Sequence, residues 1–106
     1  MKSLLTALTA AALFLATAPM IALAAHPLTI YNNADQAIEY IYISPVDSNQ
    51  WGDDWLGSDQ VLEPSNHITF TVESGCAQDI KVVFMDHHTV EKRNFDTCNY
   101  DLRVNY

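Results

Sequence analysis

The sequence predicts an all-β fold, a small antiparallel β-sandwich or open barrel with one disulfide, which follows a cleaved helical signal peptide. Three observations support this prediction: about six short segments alternate apolar and polar residues, turn-forming residues separate them, and no convincing helical period occurs after residue 25. We therefore expect two parts in the chain, a signal peptide over residues 1–25 and a single β-rich domain over residues 26–106.

The first 25 residues have the parts of an export signal. Lys2 gives a positive start, residues 4–18 form an uncharged Ala/Leu-rich stretch, and small residues surround Ala24 and Ala25, either of which fits a cleavage site. The stretch is also long enough for a membrane anchor of about 20 residues. Pro19 and the Ala-x-Ala sequence favour cleavage instead. We expect a periplasmic or secreted protein with no stable membrane anchor after cleavage.

The mature domain is strongly acidic. The whole chain has a net charge of −8, and loss of Lys2 leaves four bases against thirteen acids, a net charge of −9. Phosphate backbones and anionic lipids require Lys and Arg concentrated on one face, which four scattered bases do not provide. The composition therefore predicts no nucleic-acid partner, and it leaves cationic proteins, cations and neutral ligands open.

Cys76 and Cys98 are the two cysteines of the chain. In an oxidising compartment a lone pair is expected to form a disulfide. Closing this loop stabilises the fold by about 3 kcal/mol, a large share of the total for a domain this small. The alternative, a reactive or metal-binding dithiol, normally has Cys-x-x-Cys spacing, which this pair lacks.

The first two alternating segments, residues 28–33 and 37–43, are separated by a short turn and predict a β-hairpin. In the second segment, strict alternation places Ile38 on the same face as Tyr40 and Tyr42. Four further strands are predicted near residues 67–73, 78–85, 89–95 and 100–106. A turn at residues 86–88 joins two of these strands.

Residues 44–60 have no period and many turn formers, so we expect a long loop. Irregular connections of this length are uncommon in small domains unless they are functional or disordered, and two tryptophans argue against disorder. The predicted ligand-binding residues are Trp51, Asp53, Asp54, Trp55 and Asp59.

Carboxylates are the hard oxygen ligands that Ca²⁺ prefers, so Asp53, Asp54 and Asp59 are a candidate calcium site. An EF-hand starting at Asp47 fails, because its twelfth position is Ser58 instead of the required Glu. In the alternative reading the tryptophans and Leu56 fold back on the core as a lid, while the acids cap turns and contact water.

Copper is a second candidate metal. His26, as an amino-terminal residue, could bind it together with His67, His87 or His88.

The sequence has no Gly-x-Ser-x-Gly, no His-Glu-x-x-His and no phosphate-binding glycine loop. We therefore predict no catalytic residues and no required cofactor.

Four stretches of the chain carry a resemblance: residues 38–45, 51–59, 62–64 and 76–82. They resemble a group of small exported bacterial β domains of unassigned function, which share Tyr-x-x-x-Ser-Pro, Trp-Gly-x-Asp-x-Leu-Gly, Leu-x-Pro-Gly and a cysteine strand with Asp-Ile-x-Val. The likeness spans about Tyr31 to Cys98, and Ser65 stands where the pattern often has glycine. The resemblance implies a compact β domain with the loop as a shared feature.

Together these features predict a non-enzymatic binding module that presents the acidic Trp/Asp loop to a protein or an envelope component. One alternative is an inhibitor or sequestering protein for a cationic secreted enzyme, which the negative charge would steer toward it. Another is a Ca²⁺- or Cu²⁺-binding protein.

Overall fold

A computed structural model describes residues 24–106 of the protein. Within this range all regular structure is β, which confirms the predicted fold class. The six strands are β1 (His26–Asn32), β2 (Ile38–Pro45), β3 (His67–Val72), β4 (Ala77–Phe84), β5 (Thr89–Asp96) and β6 (Leu102–Val104). The predicted signal peptide lies almost entirely outside the described residues, and no helix among those residues is long and apolar enough to cross a membrane.

The strands form two three-stranded sheets, in the orders β3-β1-β6 and β2-β4-β5. All pairs are antiparallel except β1 with β6, which is parallel. One buried apolar cluster draws side chains from both sheets, among them Leu28 and Val104 from the first and Ile41 and Phe84 from the second. The fold is therefore sandwich-like, and in β3 and β6 the inward apolar residues alternate with outward polar residues as the sequence pattern predicts.

The predicted hairpin of the first two strands is wrong, because β1 and β2 lie in different sheets. The side chain of Asn32, which is fully buried, organises the connection between them. Its amide nitrogen donates to the carbonyls of Gln36 (2.8 Å) and Leu62 (2.9 Å), and its oxygen accepts from the N–H of Ala34 (3.0 Å). These bonds satisfy the backbone where the chain passes from one sheet to the other, and composition alone gives no sign of them.

The predicted orientation of Ile38 is also wrong, because β2 contains a β-bulge. Ile38 is opposite Phe84 while Tyr40 is opposite Val83, so β2 has one extra residue at this point. The bulge turns Ile38 into the core with Ile41, although strict alternation places it with Tyr40 on the other face. Tyr40 and Tyr42 therefore lie on the outer face of the sheet, whereas the isoleucines of β2 are buried in the core.

The disulfide between Cys76 and Cys98 is present and joins the start of β4 to the connection between β5 and β6. Next to it, the buried Thr97 bonds the carbonyl of Cys76 through both its backbone N–H (2.8 Å) and its hydroxyl (2.7 Å). The cross-link thus fixes the short strand β6 where it pairs with β1.

Candidate functional site

The loop between β2 and β3 divides into two parts that lie on different surfaces of the sandwich. Asp54, Trp55 and Leu56, here called the edge segment, lie along the open edge of β2. Trp51 lies on the outer face of the β2-β4-β5 sheet, near Lys81 and Arg93. The two tryptophans that look equivalent in the sequence therefore have different surroundings.

The edge segment supplies hydrogen-bond partners to β2. The N–H of Ile41 donates to Asp54 Oδ1 (2.9 Å), and the carbonyl of Ile41 accepts from the N–H of Trp55 (2.7 Å). Asp54 Oδ1 also accepts from the N–H of Leu56 (3.0 Å), which closes a turn of the Asx type. Because an open strand edge invites pairing with other chains, this coverage protects β2.

Leu56 and Trp55 attach the edge segment to the core. Leu56 is buried in the apolar cluster, as the lid alternative predicts. Trp55 remains 37% exposed, and its ring stands edge-on to Phe70 of β3 with 5.4 Å between centroids. This contact brings the acidic loop next to the β3 side of the other sheet.

The Trp51 surface consists of Trp51, Tyr42, Lys81 and Arg93 on the outer face of the β2-β4-β5 sheet. Arg93 Cζ lies 4.8 Å from the centroid of the Trp51 ring, and Lys81 Nζ lies 5.7 Å from it, both within the range of cation–π attraction. Lys81 also lies 5.6 Å from the ring of Tyr42, its partner across the sheet. Burial, followed by the charge of Asp54, raises the pKa of Tyr42, so its phenol is neutral at physiological pH.

Two carboxylates hold Arg93 in place. Its guanidinium bonds Asp79 Oδ2 (3.1 Å) and Glu91 Oε1 (2.7 Å), and these hydrogen bonds raise the pKa of Arg93. Asp79 is buried, and its other oxygen accepts from the N–H of Asn94 (2.9 Å), which has a positive φ of 54° at a register shift of β5. The charge beside Trp51 is thus fixed and compensated by neighbouring acids.

A shallow cavity of about 210 Å³ adjoins Trp51. Its lining consists of Ser44, Ser48, Asn49, Gln50, Trp51 and Arg93. The Ser48 hydroxyl donates to the carbonyl of Gln50 (2.9 Å) and accepts from its N–H (3.1 Å), which orders this wall. The cavity therefore combines one aromatic ring with uncharged hydroxyl and amide groups and one compensated guanidinium.

The three aspartates of the predicted calcium site do not form a ligand cluster. Asp53 and Asp59 are exposed, whereas Asp54 is partly buried with one oxygen bonded to backbone N–H groups. Among residues 24–106, the only group of three or more His, Cys, Asp or Glu with ligand atoms within 4.8 Å combines the disulfide with Asp96. Its two sulfurs are bonded to each other, so they are not thiolate ligands.

The four histidines are likewise not gathered within the described residues. His26 Nε2 lies 2.7 Å from Thr97 Oγ1 near the disulfide, and His67 is opposite Tyr31 at the other end of β1. His87 and His88 lie in the turn between β4 and β5. The arrangement thus gives no geometric support to the predicted copper site.

Sequence reasoning missed Tyr42, Lys81, Arg93 and the polar wall of the cavity. A signal existed for Lys81, because it alternates with the inward Ile80 and Val82 and so faces outward. The contact between Lys81 and Trp51 could not be predicted, because it depends on the path of the irregular loop and the loop residues show no periodic pattern.

Comparison of the chain with protein-family models, with curated proteins and with solved structures finds no match.

Proposed function

We propose that this chain is a non-enzymatic binding module of the periplasm or the secreted space, which binds an envelope component through the Trp51 surface. The observation that carries the proposal is the position of Trp51: it is only partly buried, is contacted by two cations and borders a polar cavity. A large apolar ring outside the core loses the stabilisation that burial would give it, and such rings are typical anchors of binding surfaces.

The chemistry of the surface favours a neutral ligand rich in hydroxyl groups, such as a glycan. An anion gains little from Arg93, which is already bonded to Asp79 and Glu91, and the net charge of −9 of the mature domain opposes its approach. The C–H face of a sugar ring can pack on an indole, while its hydroxyls bond to serine and amide side chains like those of the cavity.

The test is binding of the purified mature protein to isolated peptidoglycan and to a soluble N-acetylglucosamine trimer, measured by pull-down and calorimetry. Trp51→Ala should weaken binding by about tenfold or more, equivalent to about 1.4 kcal/mol. Trp55→Ala is the matched control, because it removes the other indole of the loop from a different surface. Equal binding by the two variants, or no binding of either glycan by the unaltered protein, would contradict the proposal.

The sequestering of a cationic secreted enzyme is the second candidate function. The charge of −9 supports it, because long-range attraction would raise the association rate with a basic partner. The association rate with such an enzyme should then fall steeply as ionic strength rises. A salt-independent rate would count against this candidate.

A further inference from the structure

We propose that the free edge of β3 is a separate interaction surface, which accepts an extended, basic segment of another protein as an added strand. Strand addition uses main-chain hydrogen bonds for affinity and alternate side chains for selectivity. This surface lies in the β3-β1-β6 sheet and does not include Trp51, so its test is independent of the glycan proposal.

The register of β1 shows which backbone groups of β3 are free. The N–H of Asn32 bonds the carbonyl of Asn66 on the β3 side, whereas the N–H of Thr29 bonds Asp101 on the β6 side. Because antiparallel partners alternate between bonded and non-bonded pairs, Ile68 and Phe70 exchange hydrogen bonds with β1. The N–H and C=O groups of the residues between and beside them therefore point away from the sheet.

These outward groups belong to His67, Thr69 and Thr71. Among the turn and loop hydrogen bonds of residues 24–106, none reaches the backbone of these three. Their side chains are exposed, and the register of β3 with β1 runs without a bulge over six residue pairs. This edge has no Lys, Arg, Asp, Glu or Pro, so it offers a regular template for a further strand.

The other three edges are blocked. The edge segment covers β2 through the hydrogen bonds of Asp54 and Trp55 to the backbone of Ile41. β5 carries Glu91, Lys92 and Arg93 in succession and a register shift near Asn94, devices that oppose pairing. β6 is only three residues long. Protection of every other edge marks β3 as the one available for strand addition within the described residues.

Partly exposed apolar side chains lie beside the free backbone groups. Ile68 and Phe70 face the core but are only half-buried, since β3 is an edge strand among the described residues. Trp55 contacts Phe70 and is itself 37% exposed. Inward residues of an added strand would cover this apolar group, so the segment should alternate apolar residues with polar ones.

The charge around this edge selects a basic segment. Residues 26–80 contain no Lys or Arg at all. The one Lys or Arg of the β3-β1-β6 sheet, Arg103, belongs to the opposite edge strand and lies over Tyr31. Acids flank β3 instead: Glu73 directly follows it and Glu63 lies in the turn before it, while Asp53 and Asp54 adjoin Trp55, which contacts Phe70. Lysines or arginines at the outward positions of an added strand would be attracted to these groups, whereas a second copy of this acidic domain would be repelled.

The direct test is amide hydrogen exchange by NMR on the mature protein, with a capped synthetic peptide of alternating lysine and valine long enough to span β3. The amides of Thr69 and Thr71 should exchange freely alone and become protected with the peptide. Those of Ile68 and Phe70 should be protected in both states, because β1 already bonds them. A peptide with glutamate in place of lysine is the control and should give no protection.

A matched pair of variants separates strand addition from other binding. Thr71→Pro removes a free N–H and places a ring in the path of the added strand, and it should weaken peptide binding by about tenfold or more. Thr71→Ala keeps the N–H and should bind like the unaltered protein. Thermal melting establishes that both variants are folded, and the exchange experiment needs no variant.

Three results would overturn the proposal: no gain of protection with the lysine peptide, equal protection with the glutamate peptide, or equal binding by the two variants. Protection of Thr69 and Thr71 that rises with protein concentration alone would assign the edge to a second copy of the chain instead.

Discussion

Replacing Asp54 tests whether its carboxylate attaches the loop to the edge of β2. Its replacement by alanine removes the acceptor for the N–H groups of Ile41 (2.9 Å) and Leu56 (3.0 Å). Hydrogen bonds to a charged group contribute about 1.5 to 3 kcal/mol each, and partial exposure lowers this because water can replace the carboxylate. We expect Asp54→Ala to lower the free energy of unfolding by about 2 to 4 kcal/mol.

That loss is large for this domain. A chain of this size has a total stability of roughly 4 to 12 kcal/mol. For domains of 60 to 100 residues each kcal/mol moves the melting temperature by about 4 to 8 °C, so Asp54→Ala should melt roughly 8 to 32 °C lower. The assay is thermal and urea unfolding, followed by the fluorescence of the two tryptophans.

Two variants control this experiment. Asp53→Ala removes an exposed carboxylate one residue away and should change stability by no more than about 0.5 kcal/mol. Asp54→Asn keeps an oxygen acceptor without the charge and should recover most of the loss. If Asp54→Ala melts like Asp53→Ala, or if Asp54→Asn is as unstable as Asp54→Ala, the backbone-acceptor role is refuted.

Four further predictions follow. N-terminal sequencing of exported protein should find Ala25 or His26 first; retention of the preceding residues would refute the signal peptide. Replacing both cysteines by serine should cost about 3 kcal/mol of stability, and the unreduced native mass should lack two hydrogens. A hydrogen bond from the Asn99 side chain lowers the pKa of Asp96, so the stabilisation it gives is present above the ordinary Asp value and disappears as pH falls through the lowered folded value. Asp96→Asn should therefore melt lower than the unaltered protein at pH 6, and the difference should shrink as the solution is acidified. If the loop binds Ca²⁺, the ion at a hundred times its dissociation constant should stabilise the mature protein by about 2.7 kcal/mol, and EDTA should reverse it; no shift would remove calcium from consideration.

The sequence by itself determined the fold class and the positions of the strands. Alternation is a local property, because neighbouring side chains of a strand point to opposite faces. Strands such as those near residues 67–73 and 78–85 can therefore be recognised from their own residues. The disulfide also followed from the sequence, since two cysteines allow one pairing. The same alternation failed at Ile38, because a bulge breaks the period without leaving a mark in the residue types.

Only the tertiary structure decided which strands are neighbours and what the loop contacts. Asn32 looks like an ordinary turn residue, yet its buried amide bonds the backbone where the chain passes from one sheet to the other, so no hairpin forms. Asp53 and Asp54 look alike, but only Asp54 meets the edge of β2. Trp51 and Trp55 differ for the same reason: Arg93 comes near Trp51 on the outer face of the β2-β4-β5 sheet, whereas Phe70 comes near Trp55 because the two sheets pack together. Such long-range meetings depend on the path of the whole chain, which no local pattern encodes.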